Sequence, residues 1–286
     1  MSELPLIDRT VLVTGGTDGI GYATTRRVVY DGATVILHAQ DQRRGEDALA
    51  RLIKAGAEPL RLQLVVADFT RLAEVTELSR QITAELPALD LLINNAAVAG
   101  PERRTYTDDG HELTFQVNYL APYMLTTALT DHIAKVQGRV INVSSALHRG
   151  GSVGYNDLAR ARHYSPLAMY AQSKLALTMF TRSFADANAG HLSALSVHPG
   201  VFDTGLLRVY DRAGRPATEA SAILGALSSP TCAIVNGAYY DGLNPAPAAA
   251  LVENTHARAR LLKLSTRLTR VCASAWEDHS APEKVS

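Results

Sequence analysis

A strand that runs into a glycine turn and then into a helix constrains this chain more than any other stretch. Thr10-Val-Leu-Val-Thr14 is a short apolar run of the kind that forms a buried strand. Gly15-Gly16-Thr17-Asp18-Gly19-Ile20-Gly21 follows at once, and a helical pattern extends from Tyr22 to Tyr30. Glycines let the backbone turn tightly and approach a phosphate, while the helix N-terminus offers N–H groups and the positive end of its dipole. Placed at the first strand, the turn points to a dinucleotide site; taken alone, it also fits a tight strand-to-helix turn with no ligand.

Apolar runs alternate with helical segments through the rest of the chain. Ala33–His38, Leu60–Ala67, Leu89–Ile93, Gly138–Ser144, Leu192–His198 and Asn236–Tyr240 read as six further strands. That alternation predicts an α/β fold: a Rossmann-type doubly wound parallel sheet of about seven strands, with helices on both faces. The 286 residues suit one domain, expected over 1–275, with a substrate lid near 205–227 and a flexible tail over 276–286. Asp108 to Lys135 and Ala248 to Arg270 each carry a long helical pattern.

Composition removes several function classes. Lys and Arg together number 28, as do Asp and Glu, so no charge excess calls for nucleic acid. No apolar run reaches the ~18 residues of a membrane span. The two cysteines, Cys232 and Cys272, and the nine histidines match no metal spacing, so no metal site is expected. No signal peptide is evident at the N-terminus, and a soluble, cytoplasmic protein is expected.

The second strand ends His38-Ala39-Gln40, without the carboxylate that would bind the ribose hydroxyls of NAD. Asp41 comes late, and Arg43-Arg44 follow; guanidinium groups suit a 2′-phosphate, so NADP(H) is expected over NAD(H). Asp68, at the end of the third strand, can accept from an adenine amino group or cap the next helix.

The chemistry points to Ser144-Ser145 and Tyr170-Ala-Gln-Ser-Lys174. Tyr170 and Lys174 are four apart, so a helix puts them on one face, and a lysine ammonium one turn away favours the phenolate. The pair can serve as a proton donor or acceptor beside a carbonyl or alcohol, with a serine hydroxyl to hold the substrate oxygen. Adjacent strand residues face opposite ways, so only one of the two serines can face the tyrosine. Asn118, four residues before Pro122 in a helical pattern, marks a local break where water or another donor binds.

In order along the chain, Thr14-Gly15-x-x-x-Gly19-x-Gly21, Asp68, Asn94-Asn95-Ala96, Asn118, Ser145, Tyr170-x-x-x-Lys174 and Pro199-Gly200 closely resemble the motifs of the short-chain dehydrogenase/reductase superfamily. The match spans roughly Thr10 to Tyr240; Ala97 stands where the family usually has glycine, and Gln40 where its retinol-dehydrogenase-like branch has arginine. Val140–His148, Ser196–Gly200 and Gly237–Tyr240 are similar to that branch. The Ala-, Arg- and Leu-rich composition resembles that of proteins from GC-rich bacterial genomes.

The resemblance implies roles. Tyr170 is the general acid or base, Lys174 lowers its pKa and holds the nicotinamide ribose, Ser145 orients the substrate oxygen, and Asn118 anchors a water. Cofactor contacts are implied at Gly15, Thr17, Asp18, Gly19, Ile20 and Gly21. Gln40, Arg43 and Arg44 follow the second strand, Asp68 and Phe69 the third, and Asn95, Ala96 and Ala97 the fourth. Tyr170 and Lys174 complete the set with Pro199, Gly200, Val201 and Thr204. The implied substrate is a small lipophilic ketone, aldehyde or secondary alcohol. Relatives pack as homodimers or homotetramers through the helices of Asn118 and Tyr170, and the long insert before Tyr170 leaves that state open. A non-redox dehydratase, epimerase or cyclase on the same scaffold is the alternative, with a cofactor-sensing regulator as a third.

Overall fold

The computed structural model describes residues 5–203, 206 and 214–271. Among the described residues the sheet has eight strands, in the order β3-β2-β1-β4-β5-β6-β7-β8. β1 (Thr10–Val13), β2 (Thr34–Ala39), β3 (Leu62–Val66), β4 (Leu91–Asn94), β5 (Arg139–Val143), β6 (Ser193–His198) and β7 (Tyr239–Asp241) are parallel. β8 (Asn244–Pro245) adds a two-residue antiparallel edge that the sequence did not suggest. The third strand begins at Leu62, later than its apolar run, because Pro59–Arg61 forms a 3-10 turn. The strand order reverses between β1 and β4, and such sheets open a ligand crevice beyond the strand ends at that point.

Helices cover both faces. α1 (Gly19–Tyr30), α2 (Gln42–Lys54) and α8 (Ala217–Ser228) lie over a core built on Val11, Val13, Val35, Leu37 and Ile93. The other face packs α3 (Leu72–Glu85), α4 (Leu113–Phe115), α5 (Ala121–Ala128) and α7 (Pro166–Ala187) around Leu12, Ile36, Leu92 and Val140. α6 (Thr130–Ala134) completes the approach to β5. The alternation of faces along each strand is the period-2 pattern of a sheet buried on both sides.

Two expectations change. Half of the stretch read as a lid, Ala217–Ser228, is the packed helix α8, which buries Ala220, Leu224 and Leu227 at one-turn spacing. Gly205 and residues 207–213 lie outside the described residues, as do Cys272 and the tail over 276–286. The C-terminal helical pattern is split into α9 (Ala250–Glu253) and α10 (Thr255–Thr269). Asn254 stands between them and caps α10 by accepting from the Ala257 N–H.

α10 lies across α5 and the segment before it. The Tyr119 hydroxyl meets Ser265 Oγ at 2.6 Å, and the Tyr123 hydroxyl meets Thr266 Oγ1 at 3.0 Å. Arg258, buried in α10, donates to the Val252 carbonyl at 2.7 Å and pairs with Asp186 of α7 at 3.1 Å. The insert before α7 joins the same assembly, since Tyr155 donates to the Ala257 carbonyl.

Candidate active site

The glycine turn is held from two sides. Gly15 adopts φ +64°, open only to glycine at low cost, and a Cβ on Gly21 would collide with the Gly15 carbonyl. Buried Thr14 receives the N–H groups of Asn95 and Ala96 on one hydroxyl, at 2.9 and 3.0 Å. The Asn95 amide donates back to the carbonyls of Thr14 and Gly15. These bonds fuse the turns after β1 and β4 into one rigid floor. Asp18 caps α1 by accepting from the Gly19 N–H.

That floor opens into a cleft of about 670 Å³. Gly15, Thr17, Asp18, Gly19, Ile20 and Gly21 line one end, with Gln40 and Arg44 beside them. Asp68 and Phe69 follow, then Asn95, Ala96 and Ala97, and Tyr170, Lys174, Pro199 and Gly200 line the far side. Arg43 does not reach it: its side chain points to solvent and pairs with Asp47 at 3.6 Å. Consecutive helical residues diverge by about 100°, so only one of the two arginines can face the cleft. Val201 is buried beneath the cleft wall and does not line it. Thr204 lies outside the described residues.

Around Arg44 the polar groups form a chain. Arg44 pairs with Asp41 at 3.2 Å and donates to Gln40 Oε1 at 3.1 Å, and the Gln40 amide donates to Asp68 at 3.4 Å. Asp68 also accepts from the Thr70 N–H at 2.9 Å, so it braces its own loop while facing the cleft. Two contributors escaped the sequence reading. Arg51, in the third turn of α2, lies over the Tyr22 ring at 4.3 Å and donates to the Thr17 carbonyl. His38 lines the cleft beneath Gly15 and is 2% exposed.

At the opposite end α7 presents Tyr170 and Lys174, each 2% exposed. Ser165 caps the helix by accepting from the Ala168 N–H, and Pro166 fits its first turn. The Lys174 ammonium donates to the Val143 carbonyl at 2.8 Å and lies 5.6 Å from the centroid of the Tyr170 ring. Burial lowers its pKa to about 7. Gln172, between the two on the helix, pins the preceding insert by accepting from Gly154 N–H and Arg160 Nε and donating to the Leu158 carbonyl.

The two serines are separated by their partners. Ser144 turns its hydroxyl into α7, onto Thr178 Oγ1 at 2.8 Å and the Lys174 carbonyl at 3.3 Å. Ser145 is fully buried, and its hydroxyl accepts from the Leu147 N–H at 3.1 Å as a short 3-10 turn begins. His148, in that turn, is buried. Its ring nitrogens contact the Ser145 carbonyl at 2.7 Å and the Ala249 N–H at 3.2 Å.

Asn118 occupies a π-helical turn, Gln116–Leu120, the break that Pro122 foretold. Its side chain accepts from the Val98 N–H at 2.8 Å, donates to the Val98 carbonyl at 2.9 Å, and donates to Ser173 Oγ at 3.1 Å. It therefore ties the strand-end loop of β4 to α7. Among the described residues no group of three His, Cys, Asp or Glu could hold a metal, and no helix is long and apolar enough to cross a membrane.

The cleft fits a nicotinamide dinucleotide: a helix N-terminus and close-packed glycines at the middle, a guanidinium at one end, and a buried phenol–ammonium pair at the other. Fold and site together define an NAD(P)-dependent oxidoreductase. The chain belongs to the short-chain dehydrogenases, whose family model matches residues 9–213. It is 31% identical to human retinol dehydrogenase 13, over 98% of this chain and 90% of that protein. It is 34% identical to human polyprenol dehydrogenase, over 70% of this chain but only 62% of that one. Among solved structures, an uncharacterized protein from Mycobacterium paratuberculosis superposes with a TM-score of 0.78 at 28% identity, covering 94% of this chain and 96% of that one.

Proposed function

We propose that the protein transfers a hydride between NADP(H) and a lipophilic ketone, aldehyde or secondary alcohol, with Tyr170 as general acid and base. The observation that carries this reading is the buried Tyr170–Lys174 pair on the wall of the same cleft that the glycine turn floors. The bound nicotinamide would supply the hydride in reduction and take it in oxidation. In reduction Tyr170 gives its proton to the substrate oxygen, and in oxidation it receives it. Lys174 sits one turn below and favours the phenolate through its charge.

Ser145 is the donor to the substrate oxygen in this reading. Its hydroxyl accepts from the Leu147 N–H at the start of the 3-10 turn, whereas the Ser144 hydroxyl is bound into α7. Asn118 contributes by fixing Val98 against α7. Val98, Ala99, Val117, Phe202 and Leu206 give the cleft an apolar wall, which suits a substrate with little polar surface beyond its reacting oxygen. Retinol and polyprenol, named in two relatives, are alcohols of that kind.

The preference for NADP(H) rests on Arg44 beside Gln40, with no carboxylate at the end of β2. Following NADPH absorbance with a panel of lipophilic aldehydes and ketones tests the reading. Substrate-dependent oxidation that Tyr170→Phe eliminates is the expected result. A trace that stays flat while a substrate is consumed would replace it with a non-redox reaction.

A further inference from the structure

We propose that His38 is a positioning residue for the cofactor: its neutral imidazole locks the pyrophosphate-side turn to the adenine-side crossover, and this lock sets dinucleotide affinity. The inference rests on the cleft being a dinucleotide site.

His38 Nδ1 accepts from the Gly15 N–H at 3.0 Å, so that nitrogen carries no proton. Nε2 meets the Ala67 carbonyl at 2.9 Å, and a carbonyl can only accept, so Nε2 carries it. One neutral tautomer satisfies both contacts. The His38 backbone carbonyl also accepts from the Gly16 N–H at 3.0 Å. The ring stacks on Phe69 with centroids 4.3 Å apart and 21° between planes. One residue at the end of β2 therefore grips the turn after β1 and the crossover after β3.

The arrangement has a chemical consequence for the turn. The N–H groups of Gly15 and Gly16 are taken by His38, so the pyrophosphate must find its donors nearer the first turn of α1. His38 aims that turn without spending itself on the ligand. An imidazolium would set donor against donor at Gly15 and release the lock. Burial outweighs the Ala67 contact and the charge of Asp68, and holds the ring neutral, with a pKa of about 4.

The test is calorimetric titration of the full chain with NADP⁺ and NAD⁺, for wild type, His38→Phe and His38→Asn. Phenylalanine keeps a ring for Phe69 and removes both nitrogens; asparagine offers an oxygen to Gly15 in place of Nδ1. We expect His38→Phe to bind at least about tenfold more weakly and His38→Asn to recover to within about threefold of wild type. Two-bond ¹⁵N–¹H spectra of the wild type should contain one imidazole fixed as the Nε2–H tautomer from about pH 8 to about pH 5, missing in His38→Asn. If His38→Phe fails to fold, the spectrum tests the lock, and a His38→Asn affinity weaker than wild type by more than about threefold overturns its link to binding.

Wild-type affinity in His38→Phe, equal weakness in both variants, or titration of every imidazole between about pH 5.5 and 7.5 would overturn the proposal. Wild type that binds neither dinucleotide would instead overturn the proposed function, and the tautomer spectrum would still stand.

Discussion

Lys174 gives its ammonium to the carbonyl of Val143 across 2.8 Å, inside a site where it is 2% exposed. A carbonyl dipole offsets only part of the cost of taking a charge out of water. In the apoprotein this lysine is thus a destabilising residue. Its folded pKa, about 7, lies below the unfolded value of 10.5, so the folded state binds fewer protons in that window and stability rises with pH through it. Lys174→Met should stabilise the apoprotein most below pH 7, by about a few kcal/mol of unfolding free energy, and raise its thermal midpoint accordingly. The gain should shrink toward pH 10.5, and turnover should be lost. Melts across pH check the sign; a gain that grows with pH would refute it.

Tyr170→Phe removes one oxygen from a buried ring and leaves the glycine turn untouched. Turnover should fall by about 10²–10⁴, the range of general acid–base catalysis, while the dissociation constant for the cofactor changes by less than about threefold. Steady-state rates paired with calorimetry separate the two quantities.

The neighbouring serines should fail in different ways. Ser144→Ala deletes the bonds to Thr178 and the Lys174 carbonyl, and should cost about 1 kcal/mol of stability, visible in urea unfolding. Ser145→Ala should show mainly in turnover, with a loss of about 10²-fold or more if its hydroxyl holds the reacting oxygen. The same phenotype from both would remove the distinction drawn from their partners.

Arg44 and Arg43 provide a control within one helix turn. Arg44→Ala should weaken NADP⁺ by about tenfold or more, the scale of a lost hydrogen bond to a charged group, and NAD⁺ much less. Arg43→Ala, which breaks only an exposed pair with Asp47, should leave both affinities within about twofold. Equal loss of NAD⁺ and NADP⁺ in Arg44→Ala would indicate a role away from the 2′-phosphate.

The sequence showed most clearly what depends on short spacing. Tyr170 and Lys174 lie one turn apart whatever surrounds them, and the glycine turn follows its strand without a gap. The parallel sheet followed from apolar runs alternating with helices. What it hid depends on contacts between distant parts of the chain. His38 acts on residues 23 and 29 positions away, and Arg51 reaches back 34 positions to Thr17. Nothing local marks either. The choice between Arg43 and Arg44 depends on the phase of α2, which Asp41 sets by capping at Arg44 N–H. Helix α8 was masked by Gly225 and its serines, though Ala220, Leu224 and Leu227 carry a helical period.

The docking of α10 over Tyr119 and Tyr123 has a consequence for assembly. A surface filled by a segment of the same chain is an association whose partner never diffuses away, and its effective concentration is far above that of a second molecule. Here that segment is anchored at three places: the two tyrosine hydroxyls, the Arg258–Asp186 pair, and Tyr155 from the insert. Two copies could meet through this face only after each had released its own helix. Pairing through this face would have to displace α10, and sedimentation at micromolar concentration of the full chain beside a variant with α10 loosened by Tyr119→Phe and Tyr123→Phe tests whether the helix guards it.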